Sequence, residues 1–128
     1  MLLEGKNAVI YGGGGNIGAS VARAFAREGA TVHLAGRTPA TLERVAEDIH
    51  AAGGTAMTAQ VDALGGAAVD AFVDAVAADA GSLDISINLI SVGDVQGTPL
   101  AEMTADDFEQ PIRNALRSTF LTSRAAAR

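Results

Sequence analysis

Four consecutive glycines, Gly12–Gly15, follow the apolar run Asn7–Tyr11 (NAVIY) and precede a helical pattern. No other feature constrains this 128-residue chain as much. A short apolar run bounded by glycine predicts a parallel strand buried on both faces. After the glycines, Ile17, Val21, Ala24 and Phe25 recur at helical spacing, and Gly29 supplies the stop. A glycine loop between a strand and a helix start gathers backbone N–H groups with no side chain in the way, which is what a pyrophosphate needs. Gly13-x-Gly15-x-x-Gly18 has that spacing, and the strand–loop–helix context gives the pattern its weight. A merely flexible turn is the alternative, but a plain turn rarely needs four glycines.

The same grammar continues. Thr31–Ala35 (TVHLA) predicts a second strand. The stretch Pro39–Ala52 predicts a helix with Leu42, Val45, Ala46 and Ile49 on one face and Pro39 in its first turn. A third strand is expected over Thr55–Val61. The next helix is marked by Val69, Phe72, Val73 and Val76 and ends near Gly81. Ile85–Ile90 is the fourth strand. Thr104-Ala105-Asp106-Asp107 is a helix-start signature, after which Phe108, Ile112, Leu116 and Phe120 fall on one face. Pro111 inside that pattern predicts a kink or a break between two helical pieces. Strands alternating with helices give an α/β chain: a Rossmann-type, doubly wound parallel sheet of strand order 3-2-1-4, ending in a long helix. Residues 1–128 are expected to form one domain.

Composition narrows the function classes. The net charge of −6 argues against general nucleic-acid binding. The chain has no cysteine, which excludes disulfides and thiolate metal sites and fits a reducing, cytoplasmic compartment. No apolar run is long enough to span a bilayer, and Met1–Lys6 lacks the run of a signal peptide. His33 and His50 have no partner at ligand spacing and read as structural. Met57 and Met103 are expected to pack in the core.

The second strand leads into Gly36-Arg37-Thr38. An acid here would hold the ribose 2′-OH of NAD, but no Asp or Glu lies between Thr31 and Leu42. Arg37 offers a charged donor fork for a 2′-phosphate and Thr38 adds a hydroxyl, so NADP(H) is expected before NAD(H). A solvated surface arginine is the other reading.

These residues resemble the N-terminal half of the short-chain dehydrogenase/reductase family, over nearly the whole chain. The family's first loop reads Thr-Gly-x-x-x-Gly-Ile-Gly. Here it is Tyr11-Gly12-Gly13-Gly14-Gly15-Asn16-Ile17-Gly18, with Tyr11 in place of the threonine and Asn16 in place of the middle glycine. Asparagine tolerates a left-handed backbone, so the loop is expected to keep its shape. Val61-Asp62 resembles the family's hydrophobic-Asp signature, which implies Asp62 against the adenine ring; a helix-start acid is the alternative. The family's Asn-Asn-Ala-Gly corresponds to Asn88-Leu89-Ile90-Ser91. The resemblance carries Asn88 and Ser91 to the cofactor, with Asn88 equally able to tie neighbouring loops together. Phe120–Ala126 resembles the family's long interface helix. On that register the family's helix asparagine falls on Ala115, and Asn114 is expected to point about 100° away.

The resemblance implies an NADP-dependent oxidoreductase acting on a small carbonyl or alcohol substrate. A non-catalytic dinucleotide-binding sensor is the competing class. The family's later Tyr-x-x-x-Lys, whose Tyr is the general acid/base, has no counterpart here: Tyr11 is the only tyrosine, Lys6 the only lysine, and Lys6 comes first. The chain is therefore expected to be the cofactor-binding half of a longer fold, or a divergent member that has lost its chemistry. The apolar face of its last helix predicts a homo-oligomer.

Overall fold

The computed structural model describes residues 1–128. Its central strand is β1 (Asn7–Tyr11), buried along its whole length because it has a parallel partner on each side and helices on both faces. On one side lies β2 (Thr31–Gly36), which in turn pairs with β3 (Thr55–Gln60); on the other lies β4 (Ile85–Asn88). The order is β3-β2-β1-β4, all parallel, as the alternation of elements predicts.

Alternation along β1 sorts its side chains into two cores. Ala8 and Ile10 join Val32 and Leu34 beneath helix α1 (Asn16–Arg27) and helix α2 (Pro39–Ala51). Val9 and Tyr11 join Ala35 beneath helix α3 (Gly66–Ala80) and helix α4 (Ala105–Ala127). All four apolar positions expected for α2 are buried. In α1 the buried contacts are Ala19, Ala22 and Ala26, whose short side chains let the helix lie close to the sheet; the expected Val21 and Phe25 pack half-buried against the same core, and Ile17 is 70% exposed. Asn7 and Asp84 knit the far end of the sheet: the Asn7 N–H donates to Asp84 Oδ2 at 2.8 Å.

β2 runs one residue further than expected, to Gly36, α2 stops one residue earlier, at Ala51, and three more elements differ. β4 stops at Asn88 rather than Ile90 because β1, its only partner, turns away at Gly12, where φ is +75°. β3 likewise ends at Gln60. It is an edge strand with little cover, so Met57 is exposed rather than packed. The last segment is one helix of 23 residues, not two pieces. Thr104 caps it by accepting from the Asp107 N–H at 3.0 Å, and Pro111 lies within it. A proline inside a helix costs about 3 kcal/mol. The packing of Leu121, Thr122 and Ala125 against the sheet offsets that cost. Phe108, Ile112, Leu116 and Phe120 do share a face, and it is the outer one.

His33 in β2 is buried, with no hydrogen-bond partner at Nε2. Burial pushes its pKa below the usual 6.5, against an opposing pull from Asp79. The unfolded chain therefore takes up this proton more readily than the folded one. Stability is expected to be full above pH 6.5 and to fall as the pH drops below it. The carboxylate of Asp84, held below its ordinary 3.8 first by the Asn7 N–H, adds its own loss only at more acidic pH. Melting temperatures recorded from pH 8 to pH 5 (roughly the span an imidazole controls) should decline in the native chain and flatten in His33→Val. Parallel curves would refute the assignment.

Candidate functional site

The carboxyl ends of the four strands open onto one cleft of about 780 Å³. Parallel α/β sheets place ligands there, and the volume suits a small molecule. Its floor is the loop after β1. Its walls are the end of β2 with the start of α2, the segment Val61–Leu64 after β3, and Leu89–Gly93 after β4, joined by Asn114 from α4.

The loop is built so that backbone approaches backbone. Gly12 takes a positive φ, and a Cβ there would sit 2.5 Å from the Leu89 carbonyl oxygen. A Cβ on Gly14 would run into Thr41 Oγ1, and one on Gly18 into the carbonyl oxygen of Gly12. Gly15 caps α1 with no side-chain hydrogen bond, and the first turn holds no acid. The N–H groups of Asn16, Ile17 and Gly18 consequently have no partner and lie at the positive end of the helix. That vacant donor set, cleared of side chains, fits a pyrophosphate.

Two loop expectations change. Asn16 does not use its tolerance for the left-handed region, because only glycines in this chain have positive φ; it opens α1 in right-handed geometry. Gly13 does not line the cleft. It lies on the β2 side, where a Cβ would meet the Leu34 side chain at 3.0 Å.

At the end of β2, Arg37 is exposed on the cleft and pairs with no carboxylate. Thr38 caps α2 through its backbone only, so its hydroxyl is unspent; its carbonyl accepts from Thr41 Oγ1 at 2.9 Å. Asp62 is the one acidic residue lining the cleft. Its Oδ1 accepts from the Leu64 N–H at 2.9 Å, closing a turn ahead of α3. Because α3 is capped by Gly65, Asp62 stands outside the helix and not in its first turn.

Ser91 lines the cleft; Asn88 does not. The Asn88 amide is used structurally, with Nδ2 donating to Ser118 Oγ at 3.0 Å and Oδ1 accepting from the Ile90 N–H at 3.3 Å. It ties β4 to α4. Asn114, expected to point away, reaches the cleft instead. Its Nδ2 donates to the Val92 carbonyl at 3.0 Å, and its Oδ1 accepts from Gln110 Nε2 at 3.1 Å. The inward arc of α4 is wide enough to take both Asn114 and Ala115, so one residue of register does not turn a side chain out. Sequence reasoning also missed Thr41, Val61, Ala63, Leu64, Leu89 and Ile90 as lining residues. The rule that ligands lie beyond the carboxyl ends of parallel strands was the available signal.

Neither Tyr11 nor Lys6 serves the cleft. The Tyr11 hydroxyl is buried without a partner, its ring edge-on to Phe72 at a centroid distance of 5.9 Å. Burial, then the charge of Asp70, pushes its pKa up to about 12. Lys6 precedes β1, at the opposite end of that strand.

The family model described as short chain dehydrogenase matches residues 6–128. An uncharacterized oxidoreductase of Mycobacterium tuberculosis is 42% identical over 104 residues, covering 81% of this chain and 39% of that protein. Gluconate 5-dehydrogenase of Gluconobacter oxydans is 32% identical, covering 98% of this chain and 48% of the relative. Among solved structures, a metagenomic short-chain oxidoreductase in complex with NADP superposes with a TM-score of 0.87 at 35% identity, covering 99% of this chain and 57% of its own. A short chain dehydrogenase from Burkholderia cenocepacia, also in complex with NADP, gives 0.85 at 32% identity, covering 99% and 51%. The chain thus spans about half the length of these relatives, or less. With the glycine loop, the strand order and the profile match in agreement, this chain belongs to the short-chain dehydrogenase family.

Proposed function

We propose that the chain binds a dinucleotide, NADP(H) before NAD(H), and forms the cofactor-holding part of an oxidoreductase acting on a small carbonyl or alcohol substrate. One observation carries the reading. Unpartnered N–H groups at the start of α1 face a cleft in which Arg37 stands at the end of β2 without a carboxylate partner and with no acid between Thr31 and Leu42. The α1 donors would hold the pyrophosphate, Arg37 and Thr38 the 2′-phosphate, and Asp62 the adenine side. The cofactor, when bound, would exchange hydride with the carbonyl carbon. Two structural relatives were solved with NADP, which supports the choice of nucleotide. Calorimetric titration should show tighter binding of NADP(H) than of NAD(H); binding of neither would sink the proposal.

A second reading, a non-catalytic dinucleotide sensor, is favoured by the departures from the family's motifs at Asn16, Leu89–Ser91 and Ala115. Tight cofactor binding with no turnover of carbonyl substrates by the full-length protein would select it. No helix is long and apolar enough to cross a membrane.

The outer face of α4 exposes Phe108, Ile112, Leu116 and Phe120 in successive turns. Contiguous apolar surface of this kind marks an interface. We therefore expect the chain to sediment as a dimer or larger species, and Leu116→Glu to shift it to monomer. A native chain that stays monomeric at high concentration would refute the assignment.

A further inference from the structure

We infer that α4 sets the width of the cleft, with Asn114 and Arg117 as positioning residues that clasp its two walls; the proposal rests on the dinucleotide reading above. The walls Asp62–Leu64 and Leu89–Gly93 follow β3 and β4, the two outer strands of the sheet, so β2 and β1 lie between them. No hydrogen bond joins one wall to the other. Each is instead bonded to α4. Arg117 Nε donates to the Leu64 carbonyl at 2.9 Å, and Asn114 Nδ2 donates to the Val92 carbonyl at 3.0 Å. Residues three apart are neighbours on one helix face, so a single turn of α4 grips both walls.

The helix is itself fixed. Leu121, Thr122 and Ala125 are buried against the rest of the chain, and Ser118 is bonded to Asn88 of β4. The grip matters most at Ser91–Gly93, where the bond from Asn114 is the only hydrogen bond to the rest of the protein. Leu64, by contrast, is also held by Asp62.

The sheet order assigns the two grips different jobs. With the pyrophosphate on the loop after β1 and the 2′-phosphate at the end of β2, the adenosine half lies toward β2 and β3. The nicotinamide half then lies toward β4. Arg117 therefore positions the adenosine wall and Asn114 the nicotinamide wall.

The test titrates the native chain, Asn114→Ala, Asn114→Leu, Arg117→Ala and Arg117→Lys with NADP(H) and with adenosine 2′,5′-bisphosphate, a ligand that lacks the nicotinamide half. Both Asn114 variants should weaken NADP(H) about tenfold and leave the bisphosphate within about twofold, the scale of one lost hydrogen bond. Arg117→Ala should weaken both ligands alike by a similar factor, and Arg117→Lys, which keeps a donor, should restore part of the loss. Amide exchange in the free protein should quicken at Ile90, whose N–H is bonded to Asn88 Oδ1, in the Asn114 variants and at Leu64, whose N–H is bonded to Asp62 Oδ1, in Arg117→Ala. Unchanged affinities, or equal loss of both ligands in the Asn114 variants, would overturn the clasp. Failure of the native chain to bind either ligand would overturn the dinucleotide reading. The exchange rates would then decide the clasp alone, with faster exchange supporting it and unchanged exchange refuting it.

Discussion

Replacing Arg37 by alanine is expected to weaken NADP(H) by about 10- to 100-fold and to change NAD(H) by less than about threefold, the range of a charge-assisted hydrogen bond. The asymmetry follows from position. Arg37 ends β2, lines the cleft and pairs with no carboxylate, so nothing in the chain competes with an incoming phosphate. Its backbone is held independently, with Gln60 Nε2 donating to the Arg37 carbonyl at 3.3 Å. Removing the guanidinium should therefore leave the fold intact. Arg37→Lys keeps the charge but loses the two-pronged geometry and should fall between the two. An equal loss of both nucleotides would mean that Arg37 contacts a group they share, and the 2′-phosphate assignment would fail.

Gly18→Ala should abolish measurable binding of either nucleotide and destabilise the chain by about 1–3 kcal/mol, as overpacking against a fixed neighbour does. The new methyl would be driven into the carbonyl oxygen of Gly12 and would lie 3.1 Å from the Gly13 Cα. Both are backbone atoms. The Gly12 carbonyl is also the acceptor for the Gly15 N–H at 3.1 Å, so displacing it opens the loop that carries the donors. Gly53→Ala is the matched control: φ there is +87°, and a Cβ would meet nothing within 4 Å. It should lower the melting temperature and leave affinity unchanged. Native-like binding by Gly18→Ala would show that the close approach of the two glycines is not needed.

The elements and their order were legible because they rest on local chemistry. A glycine stop after α1, a proline at the start of α2 and a threonine cap on α4 each act within a few residues of themselves. The α2 stripe follows directly from helical spacing, and the glycine loop from its place between a strand and a helix. What was hidden depends on neighbours remote in the chain. Gly13 belongs to packing on Leu34 rather than to the cleft because of how the loop leans on β2. Asn88 is taken by Ser118, thirty residues on. Asn114 faces inward because α4 settles on the sheet through an arc broad enough for two adjacent positions, which a register fixed on Ala115 alone does not show. Pro111 would break an isolated helix, whereas here sheet packing holds the helix through it.

The scattered origin of the cleft bears on when it comes into being. Its surfaces are contributed by residues 12 and 14–18, 36–38 with 41 and 42, 61–64, 89–93 and 114, one patch from each successive part of the chain. No early helix or strand pair contains more than a fraction of it, and long-range closure is the slow part of folding. A nucleotide consequently has nothing complete to recognise until the last helix has docked. Its stabilisation then belongs to the finished state and not to the barrier, so bound ligand lengthens the lifetime of the folded protein without hastening its formation.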